Sequence, residues 1–547
     1  MIDAAQAPAG ATETGLEWVS RFEREHGRKL RVLHLGNIAN NAYNNAKIQR
    51  RRGIDADVSC HDYYHIMGCP EWEDAEFEGD VVDDFYPDWW NVDLRGYRRP
   101  DWFAQGNWRT CSSYLGAQAR RDRGAAARHG RRLTTERWLW CRSTRIARSL
   151  GYRGGLAHWL RLSGSVLRGV RRKIPQVVRA AGMLARGEGT RAAAVAVFPT
   201  RFAQLRPGGD VDRTPVARRF EARFPDHGPL RQNDLRGYRI QAERWAPVLR
   251  EYDVVQGYAF DGILPLLCQT AAWAAYEHGT LREIPFEETP HGRVCALTYS
   301  EAPIVFVTNS DVLDSVQRLE LDQRRVVYLP HAVDSDRLFR FADEHEHLAP
   351  APGSPVTFYA PSRQDWVDGD VSWSKGSDRF LRAAALLRGR FDFRLVLAEW
   401  GRDLDATKRL LSELGLEERV EWVPPLRKRD LWTRYLASHA VVDQFAIRAI
   451  GGVAFEAMAL GRRVVTALDT AQTERFFGRT PPLLAAENEH EIAAALERVL
   501  VDPQDGEGLG AAARRWFSEH HSADRIVELQ ANAYRRLLGE PTDASNA

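Results

Sequence analysis

Short apolar runs alternate with stretches of helical period along this chain, and that alternation sets its elements. Residues 31–36 (Arg-Val-Leu-His-Leu-Gly) read as a buried strand, and 37–41 (Asn-Ile-Ala-Asn-Asn) as a loop of turn-prone residues. A helix follows over 42–52, stopped by Gly53, and a second strand over 54–59. This βαβ opening predicts a parallel sheet. The rhythm breaks over 60–117, which is irregular and rich in Asp, Trp and Tyr. It returns at 235 with a helix over 235–250, a strand from 253, an apolar helix over 261–276, a strand over 302–309, a helix over 310–319 and a strand over 326–329. A second block repeats the grammar, with strands at 355–360, 393–398 and 420–423 and helices at 377–388, 405–414 and 429–438. Residues 441–466 then read as strand, glycine turn, helix and strand, with helices over 492–501 and 509–539 to finish.

Two such blocks predict two doubly wound, Rossmann-like α/β domains facing a cleft. The first spans 29–330, behind a flexible lead at 1–28, with an insertion at about 60–234. The second spans 331–508, and 509–547 form a C-terminal helix and tail. For the aromatics of 60–117 (Tyr63, Tyr64, Trp72, Tyr86, Trp89, Trp90) two readings stand, packing beneath a long insertion or an acceptor-binding loop set.

Charge changes the picture in one place. The formal net charge is only +2, yet residues 118–207 hold 21 Lys+Arg against 3 Asp+Glu. Within them Leu156, Trp159, Leu160, Ser163 and Leu167 fall at helical spacing, with Arg161, Arg168, Arg171, Arg172 and Lys173 between or just beyond. A basic, mostly helical insertion with an apolar stripe suits an anionic membrane surface. A solvated insertion is the plain alternative. Nucleic acid is the weakest reading, since aromatics are sparse and no reader motif appears. Six scattered cysteines without a C-x-x-C pair point to a reducing compartment. The N-terminus shows no signal peptide and no segment is apolar enough to span a bilayer. A cytoplasmic protein, peripheral at the inner membrane face, is the expectation.

The candidate chemistry gathers at strand ends. Gly451 and Gly452 open a helix start suited to holding an anion, with Glu456 one turn in, able to accept bonds from sugar hydroxyls. Arg363 follows one strand of the same block, and Lys375 precedes a helix. Together they supply the cations that a diphosphate leaving group needs. In the first block, Asn37, Asn40 and Asn41 follow the opening strand, where open α/β sheets bind ligands. Their alternative is turn formation and capping. G-x-G-x-x-G is absent there.

These motifs resemble the GT-B glycosyltransferases of family 4, a retaining group. The likeness lies in the Arg363…Lys375-Gly376 pair and in the box Glu456-Ala-Met-Ala-Leu-Gly461. Asp443-Gln444 before the box is similar to a subgroup of bacterial surface-polysaccharide transferases. The resemblance covers most of 326–500 and the opening at 31–58, and leaves 60–234 uncovered. It implies a GT-B fold and transfer of a sugar from a nucleotide-diphosphate donor to a glycan or lipid-linked acceptor. It implies that Arg363 and Lys375 bind donor phosphates, that Glu456 holds the ribose, that the amides after Gly451 face the diphosphate or sugar, and that His278 contacts the transferred sugar. No dedicated base, metal or cofactor is expected. The chain departs from the family at the glycine-rich turn after the middle strand, which reads Ala398-Glu-Trp-Gly-Arg402, and at position 448, eight before Glu456, which is usually acidic and here is Arg448, pointing to a cation near the diphosphate or an acidic sugar. The second departure also motivates the alternative of a non-catalytic, nucleotide-binding scaffold. Asp368-Gly-Asp370 reads as a turn.

Overall fold

A computed structural model describes residues 13–79, 81, 84–149, 209–367 and 374–540. The apolar runs form two wholly parallel sheets. The first has seven strands: β1 (Arg31–Leu35), β2 (Asp55–His61), β3 (Phe103–Gly106), β4 (Val254–Tyr258), β5 (Trp273–Tyr276), β6 (Ile304–Val307) and β7 (Val326–Tyr328). Its order is β3-β2-β1-β4-β5-β6-β7. The second has six: β8 (Val356–Ala360), β9 (Phe393–Ala398), β10 (Val420–Val423), β11 (Ala440–Val442), β12 (Val464–Thr466) and β13 (Leu484–Ala485), in the order β10-β9-β8-β11-β12-β13. Strand order therefore reverses twice, at β1/β4 and at β8/β11. At such a point crossovers leave in opposite directions and open a crevice beyond the carboxyl ends of the strands. β1 pairs on both sides, Val32 facing Ala56 and Val254. It is buried on both faces, which explains its continuous apolar run.

The expected two-domain α/β architecture is present, with four local differences. The apolar stretch 261–276 is not one helix. Helix Ile263–Leu267 ends, Gln269 takes a positive φ of 56°, and the chain re-enters the sheet as β5. Residues 60–117 are not all irregular, since β3 and the helix Trp108–Ala119 complete that side of the sheet. The remaining aromatics pack: Tyr64, Phe77 and Trp89 form a small separate core with Cys69 and Cys141, and only Trp90 of the expected group is exposed. The third difference is in the lead, where Gly15–His26 is a helix. Thr14 and Glu17 form its capping box, and Trp18, Val19 and Phe22 are buried. The fourth is at the other end. Helix Ala523–Leu537 leaves the second domain and packs in the first domain's core, where the Glu528 carboxylate accepts from the amides of Gly15 and Leu16. Beneath it Gln530 and Tyr534 join Asn45, Gln49 and Gln256 in a buried hydrogen-bonded network. The periodic stripe at 156–167 and Asp368-Gly-Asp370 lie outside the described residues. No described helix is long and apolar enough to cross a membrane.

The domains are tied at the connector by ion pairs. Lys47 Nζ lies 3.1 Å from Asp334 Oδ2 and 2.9 Å from Asp74 Oδ1, and Arg51 donates to Asp334 Oδ1 at 2.6 Å. A second tie runs from residues 73–77 to the second domain. Arg337 donates to the Glu73 carbonyl, Arg427 to that of Phe77, and Arg429 pairs with Glu76. Burial alone would raise the Asp334 pKa, but Lys47 and Arg51 bring it down to about 2. A depressed carboxylate contributes stability above its unfolded pKa of about 4 and loses it as pH falls toward 2. Asp334→Asn, which leaves Lys47 with one partner, is expected to cost about 3 kcal/mol at pH 7 and far less at pH 2.5; urea denaturation at both pH values checks this.

Candidate functional site

The carboxyl ends of β8 and β11 carry the second domain's share of the site. Arg363 follows β8 and donates from Nε to Asp365 Oδ2 at 2.5 Å. The Lys375 amide donates to the Asp365 carbonyl at 2.7 Å, so one loop holds both cations. Gly376 then takes φ 67°, where an added Cβ would lie 3.0 Å from the Ala446 amide nitrogen, and the helix Ser377–Leu387 begins. Lys375 Nζ donates to Gln444 Oε1 at 2.7 Å. Burial, with help from Arg363 and from Arg282 of the first domain, lowers the Lys375 pKa, and Asp443 opposes this. Asp443 is itself buried, which raises its pKa against the pull of Lys375 and the Ala454 and Gly451 amides. The acids lie deeper than the cations: Arg363 keeps 25% of its side chain exposed and Asp365 4%. An approaching anion meets positive charge first.

The glycine turn explains itself through Asp443. A Cβ on Gly451 would lie 2.5 Å from Asp443 Oδ2, whereas one on Gly452 meets nothing within 4 Å. Gly451 caps the helix Gly452–Ala459 without a side-chain bond; Asp443 draws on the Gly451 and Ala454 amides, and the space beside Gly452 is open. Glu456 is buried one turn in. Its Oε1 accepts from Lys428 Nζ and its Oε2 from Trp432 Nε1 at 3.1 Å. Burial works against the Lys428 charge, but Glu456 and Glu73 raise its pKa on balance. The structure does not bring Arg448 to this group. Its guanidinium is half exposed and pairs with Glu487 at 2.7 Å and Asp469 at 3.5 Å.

The first domain contributes the ends of β1, β5 and β6. Asn37 and Asn40 serve the loop itself: Asn37 donates to Gly68 O and accepts from the Tyr43 amide, and Asn40, at φ 56°, donates to Cys69 O. Asn41 is different. Its Nδ2 donates to Ile38 O and to His278 Nδ1 at 3.1 Å, and its Oδ1 lies 2.9 Å from His331 Nδ1. Burial and the Arg282 charge lower the His278 pKa to about 4, so its ring is neutral at pH 7. Arg282 lies four residues on and is braced by Asp311 at 2.5 Å.

The arrangement thus joins Arg363, Lys375, Gly451, Gly452 and, across the cleft, Asn41, His278 and Arg282. Chemically it is a cation-lined crevice with a neutral imidazole at its wall. Arg282, Asp443 and Gln444 were not among the residues picked out as site residues from the sequence. Arg282 was within reach of that reasoning, as a cation four residues after His278. Asp443-Gln444 stand at the carboxyl end of β11. His331 and the Lys428–Trp432 clamp have no local signal.

Residues 368–502 match the family model described as Glycosyl transferases group 1. D-inositol 3-phosphate glycosyltransferases of Mycobacterium bovis and Mycobacterium tuberculosis are 31% identical over 268 residues, 44% of this chain and 53% of theirs. The chain therefore spans about half the length of the curated relatives it matches. Solved structures similar to it include a sucrose-phosphate synthase from Thermosynechococcus elongatus (TM-score 0.42, 18% identity, 57% of this chain and 80% of that one). Another is HepE of Anabaena, in complex with UDP and glucose (TM-score 0.42, 16% identity, 53% and 80%).

The two glycines predict opposite responses. Gly451→Ala must displace the buried Asp443 carboxylate and is expected to destabilise the second domain by about 1–3 kcal/mol. Gly452→Ala adds a better helix former in open space and is expected to leave stability equal or slightly raised. Thermal unfolding of both variants checks the contrast.

Proposed function

We propose, from the match of 368–502 to group 1 glycosyl transferases together with the cation-lined crevice, that this chain transfers a sugar from a nucleotide-diphosphate donor to a glycan or lipid-linked acceptor. The observation that carries the reading is the convergence of Arg363, Lys375 and Arg282 from loops that follow strands of both sheets. A glycosyl bond breaks with negative charge growing on the departing diphosphate, and fixed cations lower that barrier. In this reading Lys375 and Arg363 hold the phosphates from one side and Arg282 from the other. The open side of the helix start at Gly452 completes the cradle, and Glu456 takes the ribose hydroxyls. His278, neutral at pH 7, contacts the sugar as a hydrogen-bonding group. The leaving diphosphate and the acceptor share one face of the sugar, which gives retention without a protein base. Arg448 has no part in this grip, because Asp469 and Glu487 hold it. A cytoplasmic setting is supported by six free cysteines. An anionic membrane surface for the acceptor is supported by the helix Arg123–Ser149, where Trp138 is exposed and Arg142 lies over its ring.

A second reading, a nucleotide-binding scaffold without turnover, is favoured by one observation. Both oxygens of Glu456 already have partners within the protein, and the usual acid eight residues before it is Arg448.

Incubation with UDP-, GDP-, ADP- and TDP-sugars, read as release of the nucleoside diphosphate, decides between them. One donor is expected to be consumed, and Lys375→Ala to lower its turnover by about 10²–10³-fold. Binding without consumption of any donor supports the scaffold, and no binding of any nucleotide contradicts both.

A further inference from the structure

Four polar side chains that donor chemistry does not require form a continuous chain behind His278. They are Asn41 on the loop after β1, His331 at the domain connector, Asn309 after β6, and Glu277 at the end of β5. The orientation of the first is fixed without ambiguity. Ile38 O is a carbonyl and can only accept, so the amide at 3.0 Å from it is the NH2 end of Asn41. That same NH2 group donates to His278 Nδ1, which must therefore be the unprotonated nitrogen of the ring. The Asn41 carbonyl then faces His331 Nδ1, which must carry a proton to meet it at 2.9 Å. His331 cannot turn away. Its backbone carbonyl accepts from His521 Nε2 at 2.6 Å, and its ring meets that of His278 edge-on at 5.1 Å.

We propose that Asn41, held by His331, locks His278 as the tautomer with its proton on Nε2, making it a fixed hydrogen-bond donor toward the cleft. Nε2 makes no hydrogen bond among the described residues and the ring is half-buried, so that donor is open to a ligand. A group locked in this way cannot take a proton through its outward nitrogen. It presents N–H to an oxygen acceptor, a sugar hydroxyl or a carboxylate, and rejects a cation. Asn41 and His331 are positioning residues. This rests on the transferase reading only for the identity of the oxygen.

Behind this contact the chain continues. His331 Nε2 lies 3.2 Å from Asn309 Oδ1, and Asn309 Nδ2 donates to Glu277 Oε2 at 3.1 Å. The same Glu277 oxygen accepts from the Thr308 hydroxyl at 2.8 Å and from the Thr308 amide at 3.3 Å. Glu277 is fully buried, and burial raises its pKa against the pull of Arg282, Thr308 and Asn309. Glu277→Gln leaves the Asn41 contact to His278 in place, while Asn41→Asp replaces the donor to His278 with an acceptor.

The test is histidine nitrogen NMR on the 15N-histidine-labelled full chain, with the His278 signal assigned by its loss in His278→Gln. The expected result is one Nε2–H tautomer for His278, unchanged from pH 6 to 8 in the wild type and in Glu277→Gln. Asn41→Asp is expected to move His278 to the Nδ1–H or doubly protonated form. His331→Asn, which retains a donor toward Asn41, is expected to keep the lock, and His331→Leu to release it. A wild-type His278 that carries its proton on Nδ1 or titrates between pH 6 and 8 overturns the proposal. So does an Asn41→Asp spectrum like that of the wild type. Because the readout needs no substrate, it stands apart from the donor assay. Where a donor is consumed, Asn41→Asp is expected to lower kcat by at least tenfold with little change in KM for the nucleotide sugar.

Discussion

The structure depends on positive charge held at the mouths of two parallel sheets. Arg363 and Lys375 come from one loop of the second domain and Arg282 from a loop of the first; Asp365 braces Arg363, Asp311 braces Arg282, and Asp443 attracts Lys375. Holding a cation in such a crevice is costly: burial first, then Arg363 and Arg282, lowers the Lys375 pKa. The braces fix geometry without cancelling the outward field, because the carboxylates sit deeper than the cations. The glycines follow from the same constraint. Gly451 leaves room for Asp443, Gly376 lets the chain turn from Lys375 into its helix, and Gly452 leaves the helix start open. The domain ties at Asp334 and at residues 73–77 keep the two halves of the crevice opposed.

Much of this was legible in the sequence where local pattern carries the signal. The parallel strands announced themselves as apolar runs, and Arg363, Lys375, Gly451 and Glu456 stand at strand and helix ends, where motif and geometry coincide. The misreadings share a cause. β3 is four residues with polar Gln105 in it, so its strand character comes only from pairing with β2. β5 follows a short helix with equally apolar residues, and periodicity cannot divide such a run. The lead became a helix because Trp18 and Phe22 find the Ala523–Leu537 helix, 500 residues away in sequence, and no local pattern reports that partner.

The site residues that the sequence concealed are those defined by what they touch. Asn37 and Asn40 looked like ligand contacts and proved to be loop fasteners, whereas Asn41, one position on, links His278 to the connector. Arg448 stands in the acid's place in the pattern, yet its side chain turns to Asp469 and Glu487. Lys428 and Trp432 occupy Glu456, and the same helix reaches the strap at residues 73–77 through Arg427, which donates to the Phe77 carbonyl. Side-chain direction is a tertiary property, and spacing alone does not contain it.

The central claim is that both domains grip one diphosphate. It is tested most directly by calorimetric titration of nucleoside diphosphates and the matching monophosphates, with the wild type and with Arg282→Ala in the first domain. The account predicts that the second phosphate tightens binding by at least tenfold, about 1.4 kcal/mol, and that Arg282→Ala removes most of that gain. Equal affinity for mono- and diphosphate, or a gain untouched by Arg282→Ala, would contradict it.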